Sequence, residues 1–148
     1  MSSSNSDQPL FYVSPGLQLM YDFHNISFGI KLSLGAALNA NICNITAGLL
    51  GGKRKEYYLE FQDIPYVYQN NYSTPIFTGF GIGMSKIKIG NNINSIQPRF
   101  SIFAGYLLFM NITCTLLKQN INILKTQIGS TLVCPIPLNL DLNDGNWN

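Results

Sequence analysis

The sequence predicts an all-β fold, an antiparallel up-and-down meander closing into a barrel of about eight strands. Three observations carry that prediction. Apolar residues recur at every second position in run after run. Turn signals rich in Gly and Asn separate these runs at even intervals. Only 11% of the 148 residues are charged, against roughly 25% in an ordinary soluble domain. Either something other than water touches much of this surface, or Asn, Ser, Thr and Gly solvate it.

The opening MSSSNSDQPL has neither the basic nor the apolar region of a secretory signal. Residues 1–8 read as a disordered tail ahead of a barrel domain at 9–138. In the first run Val13, Leu17, Leu19, Tyr21 and Phe23 alternate with Ser14, Gly16, Gln18 and Asp22. The second is the cleanest: Ile26, Phe28, Ile30, Leu32 and Leu34 alternate with Ser27, Gly29, Lys31 and Ser33. A helix would scatter those five apolar residues around its axis, whereas a strand gathers them on one face. The short link Asp22–Asn25 makes the two runs a hairpin.

Residues 35–50 leave two readings open. Apolar residues at 34, 38, 42, 45 and 49 have helical spacing and end in Gly51-Gly52, as a helix C-cap would. The Asn, Ile and Thr content is poor for a helix, and a third strand is preferred. Next, Tyr57, Leu59 and Phe61 alternate with Glu56, Tyr58, Glu60 and Gln62. Phe80, Ile82 and Met84 then alternate with Gly79, Gly81, Gly83 and Ser85.

Residues 100–117 carry no charge and by length qualify as a spanning helix. A lone helix between hairpins would leave their sheet open. The strand reading sets Phe100, Ile102, Tyr106, Leu108, Met110 and Ile112 against Ser101, Gly105, Asn111 and Thr113, with Phe103, Leu107 and Phe109 on the polar side. A last run sets Leu124, Ile128, Leu132 and Cys134 against Lys125, Gln127, Gly129 and Thr131. Pro135 and Pro137 are expected to end it. Residues 139–148 form a C-terminal tail or part of a short last strand.

The residues opposite the apolar set decide which face points where. Gly29, Gly79, Gly81, Gly83, Gly105 and Gly129 all lie there, and so many strand glycines facing water would weaken a sheet for no packing return. Facing a narrow lumen, they make room for the few long side chains on the same face: Asp22, Lys31, Glu56, Glu60, Arg99 and Lys125. Both signs are present, as pairing inside a lumen requires. The apolar set (Ile26, Phe28, Ile30, Leu32, Leu34, Phe80, Ile82, Phe100, Ile102) then faces lipid or, with the sheet turned inside out, an internal ligand cavity. Tyr12, Tyr21, Tyr57, Tyr66, Tyr68 and Tyr72, near run ends, suit an interfacial girdle.

Several chemistries are excluded or weak. A net charge of +2 does not support a nucleic-acid partner. The residue facing Cys114 across a hairpin near Asn120 is about 126, so Cys134 is too far away for a disulfide. No CxxC pattern is present and neither metal nor cofactor is expected. His24 is a turn histidine with no nucleophile motif to serve. Glu56 and Glu60, roughly 13 Å apart along one strand, are too distant for a concerted carboxylate pair. Lys53, Arg54 and Lys55 form the one charge run, a solvated turn by default and a phosphate or lipid-headgroup contact otherwise.

With its strand rhythm, the TPIFTGFGIG stretch entering a central strand and FSIFAGYLL entering the next, the chain resembles the small outer-membrane β-barrel proteins of Gram-negative bacteria, the broad OmpA-like and opacity-type group, over about residues 9–138. It departs from that group in its three cysteines and its terminal GNWN. The resemblance implies an outer-membrane location, contact with membrane lipid, and a non-enzymatic structural, adhesion or envelope-integrity role with any protein partner met through loops. The alternatives are a soluble lipocalin-like barrel for an apolar ligand and an all-β assembly subunit.

Overall fold

Eight long strands and one short one follow in chain order in the computed structural model, which describes residues 9–38, 41–68, 75–89, 92–118 and 122–138. They are β1 (Leu10–Tyr21), β2 (Ile26–Leu38), β3 (Asn41–Gly51), β4 (Arg54–Tyr68), β5 (Ile76–Ile89), β6 (Asn92–Gly105), β7 (Leu108–Lys118), β8 (Asn122–Val133) and β9 (Ile136–Pro137). Each long strand pairs antiparallel with the next, and β8 returns to pair with β1, so the sheet closes. The expected tails at 1–8 and 139–148 lie outside the described residues.

The ladders fix the barrel's shape. From Tyr21 the pairing passes through Ile128, Ile112, Ile102, Phe80, Asp63, Cys43 and Ala36 and re-enters β1 at Phe11. A ten-residue stagger from Tyr21 to Phe11 across eight strands tilts them by roughly 40° and sets a backbone radius of roughly 8 Å. One end, the hairpin end, carries the β1–β2, β3–β4, β5–β6 and β7–β8 connections. The other, the terminal end, carries the remaining connections together with Pro9 and Leu138.

Both ambiguous segments are hairpins. In the first, residues i and j pair where i and j sum to an odd number, as in Leu34↔Ile45, so the apolar phase moves from even positions in β2 to odd positions in β3. A period-two pattern that slips phase once mimics helical spacing, which is why residues 34–49 looked helical. The 100–117 run is β6 and β7 joined around Tyr106 and Leu107. There Ala104 pairs with Met110 and Ile102 with Ile112, so the alternation runs through the turn without a slip. No helix of the described residues is long and apolar enough to cross a membrane.

Prolines mark the seam where the barrel closes. Pro135 ends β8, as expected, but β9 resumes the same register, with Ile136 opposite Val13 and Pro137 opposite Tyr12. The Cys134 amide donates to Pro15 O at 3.0 Å and that of Leu138 to Phe11 O at 2.8 Å, so the seam stays bonded around its prolines. Pro65 sits at a bulge in β4 where the register to β5 shifts, a position where its missing N–H costs nothing.

Candidate functional site

The distribution of side chains is inverted relative to a soluble domain. Among the described residues nineteen polar or charged residues are buried and six apolar ones are, while every strand turns large apolar residues outward. Phe28 and Ile102 are each 68% exposed, and Ile26, Ile30, Leu32, Leu34, Phe80, Ile82 and Phe100 join them on the outer wall. These were the candidate lining of a soluble barrel's ligand cavity. The structure turns all of them away from the lumen.

The interior is built around Arg99, which is 1% exposed. Ladder partners place Ser33, Thr46, Glu60, Gly83, Arg99, Thr115 and Lys125 on one hydrogen-bonded line, which climbs toward the hairpin end because the strands tilt, so Arg99 and Lys125 come within reach of Glu56, four residues nearer that end than Glu60. Arg99 Nη1 donates to Glu56 Oε1 at 2.5 Å, and Lys125 Nζ donates to Glu56 Oε2 at 3.2 Å. Arg99 Nε lies 3.6 Å from Glu60 Oε2, an ion pair too long for a hydrogen bond. The Ser101 hydroxyl also donates to Glu60. Two carboxylates separated along one strand therefore converge on a single guanidinium.

Tyr58 extends the network across the lumen. Its ring stacks under the Arg99 guanidinium, 4.0 Å from ring centroid to Cζ, and its hydroxyl donates to Gln18 Oε1 at 2.5 Å. Gln18 Nε2 donates in turn to Thr131 Oγ1 at 3.3 Å. A polar bridge thus runs from β8 through β1 and β4 to β6. Pairing is what buried charges require, and each carboxylate here has a cation beside it.

The glycines make this bridge possible. On the lumen face of β5, Gly83 stands between Glu60 and Arg99 in the ladder, and Gly81 stands between Gln62 and Ser101. A Cβ at Gly81 would collide with the Glu60 carboxylate and the Ser101 hydroxyl, and one at Gly48 with the Tyr58 ring. Around Gly29, Gly79, Gly129 and Gly105 an added Cβ would instead meet a backbone carbonyl of the neighbouring strand or turn, a consequence of close, strongly twisted pairing.

Two of the expected placements need correction. Asp22 belongs to the β1–β2 turn and not to the lumen network; its carboxylate accepts from the Asn25 and His24 amides at 2.7 and 3.3 Å. The turn holds Phe23 at φ 66°, and an Asx-type bond is the natural use of an aspartate there. Tyr12 is not a girdle residue, because its hydroxyl points inward and donates to Asn44. Tyr21 and Tyr57 do face outward, 46% and 49% exposed, whereas the side chains of Tyr66, Tyr68 and Tyr72 lie outside the described residues. Sequence reasoning did not single out Tyr58, Gln18 or Met20. Their parity placed them on the lumen face, but only the stagger shows that they meet.

Lys31 stands apart from the bridge. It forms no ion pair among the described residues, so three lumen cations face two carboxylates. With Glu60, Arg99 and Gln18 it floors a cavity of about 400 Å³ in the terminal half of the barrel, walled by Ile42, Ile64, Phe77, Phe103 and Phe109. The cysteines are free, and Cys114 pairs with Thr126 as hairpin arithmetic required. No cluster of three or more His, Cys, Asp or Glu occurs among the described residues.

No protein-family profile matches the chain, and no curated protein matches it. Several solved structures are similar, two of them as follows. One is the crystal structure of Neisserial surface protein A, with a TM-score of 0.54 at 11% identity, covering 84% of this chain and 95% of that one. The other comes from the de novo design of transmembrane β-barrels, with a TM-score of 0.43 at 13% identity, covering 86% of this chain and 99% of that one. The first likeness establishes a shared fold.

Proposed function

We propose that the chain is a non-enzymatic transmembrane β-barrel of the outer-membrane type with a structural role in envelope integrity. The observation that carries this reading is the inverted distribution: an apolar outer wall around a polar, ion-paired lumen. Water would make that wall costly, and lipid makes it favourable. The outward run Ile26–Leu34, nine residues tilted by about 40°, rises roughly 20 Å, close to the height of a barrel's apolar band. Likeness in fold to Neisserial surface protein A is consistent with the reading. Adhesion is the weaker role, because no connection between the long strands exceeds the seven residues separating Tyr68 from Ile76.

The test compares the chain with and without detergent, and heated with unheated samples on a gel. A membrane barrel needs the detergent and migrates differently when unheated. A chain that stays soluble and monomeric in plain buffer would sink the proposal. Phe28→Arg places a charge on the outer wall and is expected to destabilise the inserted barrel by about 2–4 kcal/mol. Urea titration of vesicle-inserted protein measures that loss.

A further inference from the structure

Basic residues are distributed along the barrel axis with an asymmetry that the lumen network does not explain. Three of the nine Lys and Arg residues, Lys31, Arg99 and Lys125, line the lumen. The other six, Lys53, Arg54, Lys55, Lys86, Lys88 and Lys118, all fall at the hairpin end. The described segments that build the terminal end, residues 9–17, 35–38, 41–49, 61–68, 75–78, 101–113 and 129–138, contain no Lys or Arg at all.

Five of those six cluster on neighbouring strands. Lys55 on β4 stands directly opposite Lys88 on β5, and Lys86 stands opposite Tyr57. Lys53, Lys55, Lys86 and Lys88 are all exposed. Like charges directly opposite one another destabilise a sheet, so this arrangement calls for a counter-charge. The wall does not supply one: the partners of Lys88 and Lys86 on their other side are Ile93 and Ile96. At this end the only acidic side chain among the described residues outside the lumen is Asp22, whose carboxylate is engaged by its own turn.

The direction of the lysines narrows what the counter-charge is. Lys55, Lys86 and Lys88 continue the outward parity of Tyr57, Leu59, Met84 and Ile82, so they face sideways off the wall at the edge of the apolar belt. From Met84 to Lys88 the wall rises roughly 10 Å, about the depth of a headgroup layer. A soluble acidic partner would meet the barrel end-on. A lipid headgroup meets it from the side, at this height, beside the aromatic Tyr57. Lysine is a compact cation with three donors, suited to phosphate oxygens.

We propose that the hairpin-end rim formed by Lys53, Lys55, Lys86 and Lys88 binds the phosphate headgroups of anionic lipid, so that the barrel prefers and is oriented by an anionic leaflet. This rests on the transmembrane reading above, and the experiment separates the two. The full chain is refolded from urea into phosphatidylcholine vesicles and into vesicles that also contain phosphatidylglycerol, with folded fraction read from the unheated gel shift. Each lysine near an anionic surface strengthens association by about fivefold. The expected folding equilibrium is therefore about 600-fold more favourable in the anionic vesicles at low salt, with the gain shrinking at high salt. K53Q/K55Q/K86Q/K88Q should fold into neutral vesicles as the parent does and lose the gain, whereas the four Lys→Arg changes should keep it.

A gain retained by the glutamine variant, or no gain in the parent, overturns the rim proposal and leaves the barrel reading standing. If millimolar inorganic phosphate reproduces the gain in neutral vesicles, a free anion is the ligand and the headgroup assignment is wrong. If the gain is absent but an acidic peptide binds the parent and not the glutamine variant, the rim serves a protein and the proposal falls. Failure of the parent to fold into neutral vesicles overturns the barrel reading and the rim with it.

Discussion

The two halves of the lumen solve the problem of a polar interior in opposite ways. In the hairpin half the space is filled: Met20, Leu50 and Ile87 are at most 1% exposed, and Glu56, Ser85, Gln97, Thr115 and Gln127 are at most 2% exposed. In the terminal half the side chains stop short of one another and leave a cavity of about 400 Å³ above Lys31, Glu60 and Arg99. The Arg99–Tyr58–Gln18 bridge is the boundary between them. A barrel of this radius is narrow enough to be closed by side chains, and one half has been closed while the other has been left as a vestibule. The structure therefore has a blind cup where a channel would need a continuous lumen.

That boundary is where the largest effect is expected. Arg99→Ala removes the cation shared by Glu56 and Glu60. Glu56 keeps Lys125 at 3.2 Å, but Glu60 is left with the Ser101 hydroxyl and the more distant Lys31. Stranding a buried charge costs about 3–5 kcal/mol. The folded barrel should unfold at a correspondingly lower urea concentration, and adding Glu60→Gln should restore part of the loss by removing the stranded carboxylate. If the single variant is as stable as the parent, the bridge is not what divides the halves.

Gly81→Leu comes next, and it tests whether the boundary is packed as tightly as it looks. Gly81 lies beneath the Glu60 carboxylate and the Ser101 hydroxyl, so even a Cβ forces both to move. Overpacking a core of this kind costs about 1–3 kcal/mol. The same substitution on a water-facing strand would be nearly silent, so the unfolding midpoint of this variant also reports which face is the lumen.

How far the sequence already contained this division is instructive. Strand parity was legible because a period of two survives any side-chain detail, and it put Lys31, Glu56, Glu60, Arg99 and Lys125 on the same face as the strand glycines. Turns were legible where Gly or Asn marks them. The β6–β7 turn was not, because a register such as Ile102↔Ile112 carries the alternation through without a break. The β2–β3 turn was hidden differently, its phase slip imitating a helix. The bridge itself was illegible, since it depends on the ten-residue stagger, which carries the ladder line up the barrel and brings Arg99 and Lys125 to Glu56. Stagger is a sum over every ladder and turn in the barrel, and no local motif records it. Asp22 was misassigned for a related reason: parity continues on paper past Tyr21, but the chain has already left the ladder for a turn.

Phe109→Ala is the smallest change and the sharpest test of the open half. The Phe109 ring borders the vestibule and meets Phe103 edge-on, with centroids 5.9 Å apart. In a filled core, losing a phenyl group costs about 3–5 kcal/mol, much of it for the cavity left behind. Here the cavity exists already and one side of the ring has few neighbours, so the loss should be close to that of the aromatic pair alone, about 1 kcal/mol. A midpoint shift near the filled-core value would mean that the terminal half is packed after all. A small shift would show that the barrel's stability resides in its bridge and hairpin half, and that the vestibule walls can vary at little structural cost.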